Sequence, residues 1–186
     1  MENKTRCPWC EKDDLYRNYH DNEWGKPVYD DATIFEFLIL ETFQAGVSWH
    51  LILKKRAHFR KAFVNFDYHQ IALFGDYEVQ ELMKDAGIIR NKLKIQSAIS
   101  NAKAFIKVQA AFGSFSKFIW DYVDGTPVIN QFNTITEVPA YTPLAEKISK
   151  DLKKRGFKFI GPTTMYAHMQ ATGMVNDHLT TCFTRN

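Results

Sequence analysis

The sequence lacks long hydrophobic runs: apolar stretches stop at four residues, as in Phe37-Leu38-Ile39-Leu40, far short of a bilayer span. Met1-Glu2-Asn3-Lys4 carries nothing like the apolar stretch of a signal peptide, so a cytoplasmic protein with no membrane role is predicted. Cysteine is scarce. Cys7, Cys10 and Cys182 are an odd number in a reducing compartment, which argues against a disulfide framework and leaves metal binding or inert burial. Neither sign of charge dominates: 24 Lys+Arg against 21 Asp+Glu leave +3, too mild to identify a partner. Internal repeats, low-complexity tracts and alternating strand patterns are also missing, which excludes solenoid, collagen-like and disordered chains. What the chain has in quantity is rings, with 4 Trp, 8 Tyr and 15 Phe in 186 residues, a length suited to one domain with an ample core.

Period-3.6 patterns dominate and predict an all-α fold. Asp30 or Asp31 caps a helix through Phe35, Leu38 and Phe43 toward Gly46; Ser48 caps the next, which runs to about Phe63. Short helices are expected near 67–74 and 76–86, and a long one over 91–111, with Ile95, Ile99, Ala102 and Ile106 on one face and Gly113 as its stop. Later helices are expected at 115–123, 142–155 and 163–172. Asp124 to Pro143, with three prolines and little periodicity, reads as a long connection between lobes.

Metal-ligating residue types collect at both ends: Cys7, Cys10 and His20 near the start, His178 and Cys182 near the finish. Zinc accepts any four of these. The Cys7–Cys10 spacing suggests a knuckle completed by His178 and Cys182; the rival set is Cys7, His20, His178 and Cys182. If the stretch between His178 and Cys182 is helical, both residues face one ion. Either set makes a closed structural site that ties the two ends together. The competing reading is unrelated buried thiols and surface histidines.

Glu41 follows Ile34, Phe37 and Leu38 at helical spacings, so its carboxylate falls on the apolar face, where an unpaired charge is costly. It is either a functional residue or a structural carboxylate satisfied by a nearby backbone or hydroxyl group. Gln44-Ala45-Gly46-Val47-Ser48-Trp49 then breaks two helices: a glycine turn admits close backbone approach, and Val47 offers an apolar wedge. Tyr16, Tyr19, Trp24 and Trp49 stand near polar segments, although core packing accounts for most aromatic residues.

Between 82 and 99 one helix stops at Gly87 and another starts within four residues, flanked by Arg90, Lys92 and Lys94. Such a hairpin presents turn N–H groups and a helix N-terminus to a phosphate. Lys54-Lys55-Arg56 and Lys153-Lys154-Arg155 are further basic clusters; runs of this kind are usually solvated helix faces, and three in a chain of +3 imply a locally positive surface.

Five strings, Tyr19-His20-Asp21-Asn22-Glu23-Trp24-Gly25, Gln44-Ala45-Gly46-Val47-Ser48-Trp49, Asp85-Ala86-Gly87-Ile88-Ile89-Arg90, Lys153-Lys154-Arg155-Gly156-Phe157-Lys158-Phe159 and Asn176-Asp177-His178, resemble in order the bacterial DNA-3-methyladenine glycosylase I family of the helix-hairpin-helix superfamily. The resemblance covers nearly the whole chain. It implies a single glycosylase domain over 1–186 with two helical lobes, residues of about 30–125 forming the helix-hairpin-helix lobe and 1–29 plus 126–186 a zinc-containing lobe. It places the structural zinc on Cys7, His20, His178 and Cys182, with Cys10 a departure from the usual pattern. It assigns base recognition to Glu41, which is also the candidate catalytic residue, and the pocket aromatics to Tyr16, Tyr19 and Trp49. The DNA-inserting turn falls on Gly46 and Val47, and the phosphate hairpin on Gly87, Arg90 and Lys92.

The implied substrate is alkylated double-stranded DNA and the product free 3-methyladenine, released by a monomer. An adenine alkylated at N3 is cationic and already a good leaving group, so selectivity is the harder problem. Aromatic faces attract such a cation by roughly 0.5–2 kcal/mol per contact, and a desolvated carboxylate accepts from its exocyclic amine. Two alternatives stand beside this: a non-catalytic zinc-stapled helical module that binds DNA, and a glycosylase with lyase activity, which needs an amine nucleophile in the pocket. The resemblance argues against the second.

Overall fold

In a computed structural model, which describes residues 4–185, side-chain caps set most helix starts. Asp13 accepts from the Tyr16 N–H at the head of α1 (Asp14–Asn22), Asp30 from the Thr33 N–H at α2 (Asp31–Gln44), and Ser48 from the Leu51 N–H at α3 (Trp49–Ala62). Then follow α4 (Tyr68–Ile71), α5 (Asp76–Lys84), α6 (Lys92–Phe112), α7 (Phe115–Trp120), α8 (Pro143–Lys154) and α9 (Pro162–Ala171). The long helix starts at its Asn91 cap and stops at Gly113, which takes φ +89°, as its sequence predicts.

All ten residues from Ile34 to Phe43 are buried, so α2 is the axle of the fold, packed against α3, α6, α7 and α9. Each fully buried Ile, Leu or Phe contributes about 1.5–3 kcal/mol relative to exposure. Phe35 meets Phe105, which stacks on Phe115 at 4.2 Å, while Phe43, Phe59, Phe63 and Phe66 form a second chain of rings. Glu36, also on α2, is satisfied by arginines: Oε1 accepts from Arg56 Nε at 2.6 Å and Arg60 Nε at 3.0 Å, and Arg56 reaches on to Glu23 at 2.6 Å.

The structure departs from the sequence reading in several places. Among the described residues there is one strand pair, β1 (Val128–Ile129) parallel to β2 (Val175–Asn176), too short to leave a period-2 signature. It pins the long connection to the C-terminal segment, and the Thr180 N–H adds a bond to Phe132 O. α1, unexpected from the sequence, is a short polar helix whose only strong cue is the Asp13 cap. Residues 177–185 form turns and extended chain rather than a helix. Nor are the basic clusters plain solvated faces: Arg56 is buried in ion pairs, Arg155 lies over the rings of Phe112 and Phe118, and Lys94 is 6% exposed. Gly173 is required by contact: it takes φ +68°, and a Cβ there would lie 2.3 Å from the Lys26 carbonyl carbon. The Gly25 and Val28 N–H groups donate to Gln170 O and Thr172 O, each at 3.0 Å, and tie the segment after Trp24 to the end of α9.

Candidate active site and metal centre

α1 sets Tyr19 and His20 on either side of the line through Tyr16, so that one short helix serves both the cavity and the buried Cys/His cluster. Its cap, Asp13, also accepts from His50 Nε2 at 2.6 Å, tying α1 to the first turn of α3, where Trp49 stands. Between these helices, α2, α9 and the long connection lies a cavity of about 380 Å³. Tyr16, Tyr19, Glu41 and Trp49, the four pocket residues expected from the sequence, all line it. So do Trp9, Trp24, Gln44, Tyr166, Gln170 and Asp177, while Ile135 and Val138–Ala140 of the connection form another wall.

Glu41 is 4% exposed, and its Oε2 has no hydrogen-bond partner among the described residues, which rules out a carboxylate quietly satisfied by the fold. With no cation to offset burial, its carboxyl is pushed well above the usual range. Burial also raises Tyr16 and Tyr19, keeping their phenols protonated. Asp177 is the opposite case in the same cavity. Its Oδ1 accepts from Asn130 Nδ2 at 2.7 Å, and its Oδ2 from the Tyr166 hydroxyl at 2.5 Å and Gln170 Nε2 at 2.8 Å. Sequence reasoning missed Asp177, Tyr166 and Gln170, although Asn176-Asp177-His178 is distinctive; Tyr166 and Gln170 reach Asp177 from α9, and Asn130 from the long connection.

Gly46 is exposed at φ +83° with open space around it, and the Val47 N–H donates to Gln44 O at 2.7 Å, so the turn stands out beside the cavity-lining Gln44. Gly87 is used for packing: a Cβ there would lie 2.8 Å from the His58 ring, and its N–H is already taken by Asp85 Oδ1 at 2.7 Å. Arg90, Asn91 and Lys92 are exposed at the head of α6, where the first N–H groups of a helix have no partner within it. Lys94, expected to flank them, instead points inward and donates to Phe43 O at 2.9 Å and to Ala45 O.

The end clusters meet. Cys7, His20, His178 and Cys182 are all buried, and their ligand atoms lie within 4.8 Å of one another. Cys182 Sγ is 3.4 Å from His20 Nε2 and 3.6 Å from His178 Nδ1, and Cys7 Sγ is 3.8 Å from His178 Nδ1. Ligands about 2.0 to 2.3 Å from one tetrahedral centre lie about 3.4 to 3.8 Å apart, so the spacing suits zinc. The outer nitrogens are held as metal-bound imidazoles require: His20 Nδ1 meets Asp21 Oδ1 at 2.8 Å, and His178 Nε2 meets the Trp24 carbonyl at 3.1 Å. Arg6 fixes Asp21 in turn. Without a cation, burial pushes the Cys7 thiol up to about 12 and His178 down to about 4, and the four groups together could hold a metal ion. Cys10 is not among the four: its Sγ donates to Cys7 O at 3.1 Å, which corrects the knuckle that uses both thiols.

A family model described as methyladenine glycosylase matches residues 9–185. The DNA-3-methyladenine glycosylase of Haemophilus influenzae is 44% identical over 178 residues, covering 96% of this chain and 96% of that protein. Among solved structures, a crystal structure of 3-methyladenine DNA glycosylase I superposes with a TM-score of 0.94 at 47% identity, covering 96% of this chain and 98% of that one. A tyrosine-to-phenylalanine variant of 3-methyladenine DNA glycosylase I in complex with 3-methyladenine gives 0.95 at 36% identity, with 97% of each chain covered.

Proposed function

The chain belongs to the methyladenine glycosylase family, and we propose that it excises 3-methyladenine from alkylated double-stranded DNA by hydrolysing the N-glycosidic bond, releasing the free base and leaving an abasic site. The observation that carries this is Glu41: a buried carboxyl without a partner, in a cavity walled by Tyr16, Tyr19 and Trp49. The fold leaves unanswered the charge that a cationic base brings. When that base enters, the Glu41 proton leaves and the carboxylate accepts from its exocyclic amine, while the ring faces favour the cation over neutral adenine. The departing base becomes neutral and loses these contacts, so they must not hold the cation so tightly that the barrier rises.

In this reading the base leaves the stack at a cost of a few kcal/mol, less when damaged. Gly46 and Val47 fill the space it vacates, and the hairpin, its turn shaped by Gly87, grips phosphate through Arg90 and Lys92, as a helix-hairpin-helix does. The lobes divide as the resemblance implies, and the base is read in the cavity where α2 meets α9. Zinc on Cys7, His20, His178 and Cys182 is structural: when bound it holds the thiolates together and so fixes Trp9 and Trp24, which flank the cavity. No lysine lines the cavity among the described residues, which supports a hydrolase without lyase activity. No described helix is long and apolar enough to cross a membrane, and the protein is read as a cytoplasmic monomer.

The test is release of free base from methylated duplex DNA in single turnover. Wild type is expected to release 3-methyladenine and Glu41→Gln to do so at least about 100-fold more slowly, with duplex affinity near normal. Equal rates would remove Glu41 from the site; DNA binding without release by the wild type would favour a non-catalytic module.

A further inference from the structure

Lys94 is a cation in an unexpected place. It lies in the first turn of α6, where its N–H donates to the Asn91 cap and the helix dipole disfavours positive charge. It is 6% exposed, and burial alone acts on its pKa, downward, with no carboxylate to offset it. Its ammonium is satisfied by Phe43 O and Ala45 O, carbonyls that α2 leaves unpaired where it ends. An apolar side chain would fill this space without desolvating a charge, so the contact answers a need outside α6. What it joins is clear from the chain: one end is the exposed Arg90–Lys92 hairpin, the other the Gln44–Val47 turn, one helical turn beyond Glu41. Lys55 makes the reciprocal link. From α3, just past that turn, its Nζ donates to Ala86 O at 2.8 Å and Gly87 O at 3.2 Å in the hairpin.

We propose that Lys94 is a positioning residue that holds the Gln44–Val47 turn and the Glu41 end of α2 in fixed register with the hairpin. Phosphate contact at Arg90 and Lys92 then sets which base step meets the turn and the carboxyl. Lys94 touches neither base nor phosphate; it fixes the distance between the elements that do. The proposal rests on the excision reading above.

Lys94→Met and Lys94→Gln test it in three measurements: single-turnover base release from methylated duplex, fluorescence of 2-aminopurine beside the lesion, and quenching of the cavity tryptophans by free 3-methyladenine. Lys94→Met is expected to slow release about 10- to 100-fold and lose the unstacking signal, with free-base affinity within about twofold of wild type. Lys94→Gln, whose amide still donates, should recover part of both. The salt slope of duplex binding should stay at the wild-type value in both variants, whereas Arg90→Ala with Lys92→Ala should flatten it by about 2. Normal release from both lysine variants would overturn the proposal, as would parallel loss of free-base binding, which marks a merely structural role. Absence of base release from the wild type would defeat the excision reading alone; the 2-aminopurine signal, present in wild type and lost in Lys94→Met, would still establish the coupling.

Discussion

Glu36 and Glu41 sit five residues apart on α2, both nearly buried, and the fold treats them in opposite ways. At 100° per residue they point to different sides of the helix. Glu36 meets Arg56 and Arg60 and belongs to a network that continues to Glu23. Glu41 meets aromatic rings and an open cavity, with no cation opposite. A paired buried charge is a structural device; an unpaired one is a cost that only a ligand removes.

The strongest way to break this contrast is to neutralise each carboxyl in turn. Excision should collapse in Glu41→Gln, as above, and stay within a few-fold of wild type in Glu36→Gln; equal damage from both would make α2 merely fragile. Glu41 also makes binding depend on pH. On the proposed reading the lesion's fixed positive charge displaces the Glu41 proton on entry, so kcat/KM for excision should rise with pH, by up to about tenfold per unit over the range in which the free enzyme keeps that proton. Glu41→Gln should flatten the rise, and a flat wild-type profile would show that no proton is exchanged.

Stability should run the other way. Glu36→Gln leaves Arg56 with Glu23 as its one remaining carboxylate and is expected to cost about 1–3 kcal/mol, read as a fall in Tm of roughly 3–9 °C. Glu41→Met should stabilise by about 1–2 kcal/mol while abolishing selectivity. The sign follows from the raised carboxyl: above its ordinary range the unfolded chain gives up a proton that the folded chain keeps, so stability falls with rising pH. The gain from Glu41→Met should therefore grow with pH in denaturant melts; a loss would mean that Glu41 has a partner.

Much of this was legible locally. Asp30, Ser48 and Gly113 mark helix ends by their own chemistry, and the apolar spacing around Glu41 announces its burial. Its lack of a partner does not follow from spacing, because that depends on what α1, α3 and α9 bring to the same space. Lys94 shows the limit most plainly: beside Arg90 and Lys92 it reads as one more surface cation, and only the closure of α6 on α2 turns it inward. Cys10 misleads for a similar reason, since a thiol three residues from a ligand looks like a ligand until its S–H is seen to donate to Cys7 O. The β1–β2 pair and the Asn130–Asp177 bond join segments dozens of residues apart, beyond any short-range pattern.

The run of ten buried residues in α2 bears on how damage is found. A rod wedged on every side cannot slide or roll to meet a substrate, so its carboxyl is a fixed gauge, and the nucleic acid must do the moving. Every extruded base is then presented to the same unyielding template. On the function proposed above, an undamaged adenine fails there by charge rather than by shape, and faithful repair becomes a matter of how long a wrong base lingers before it falls back into the helix.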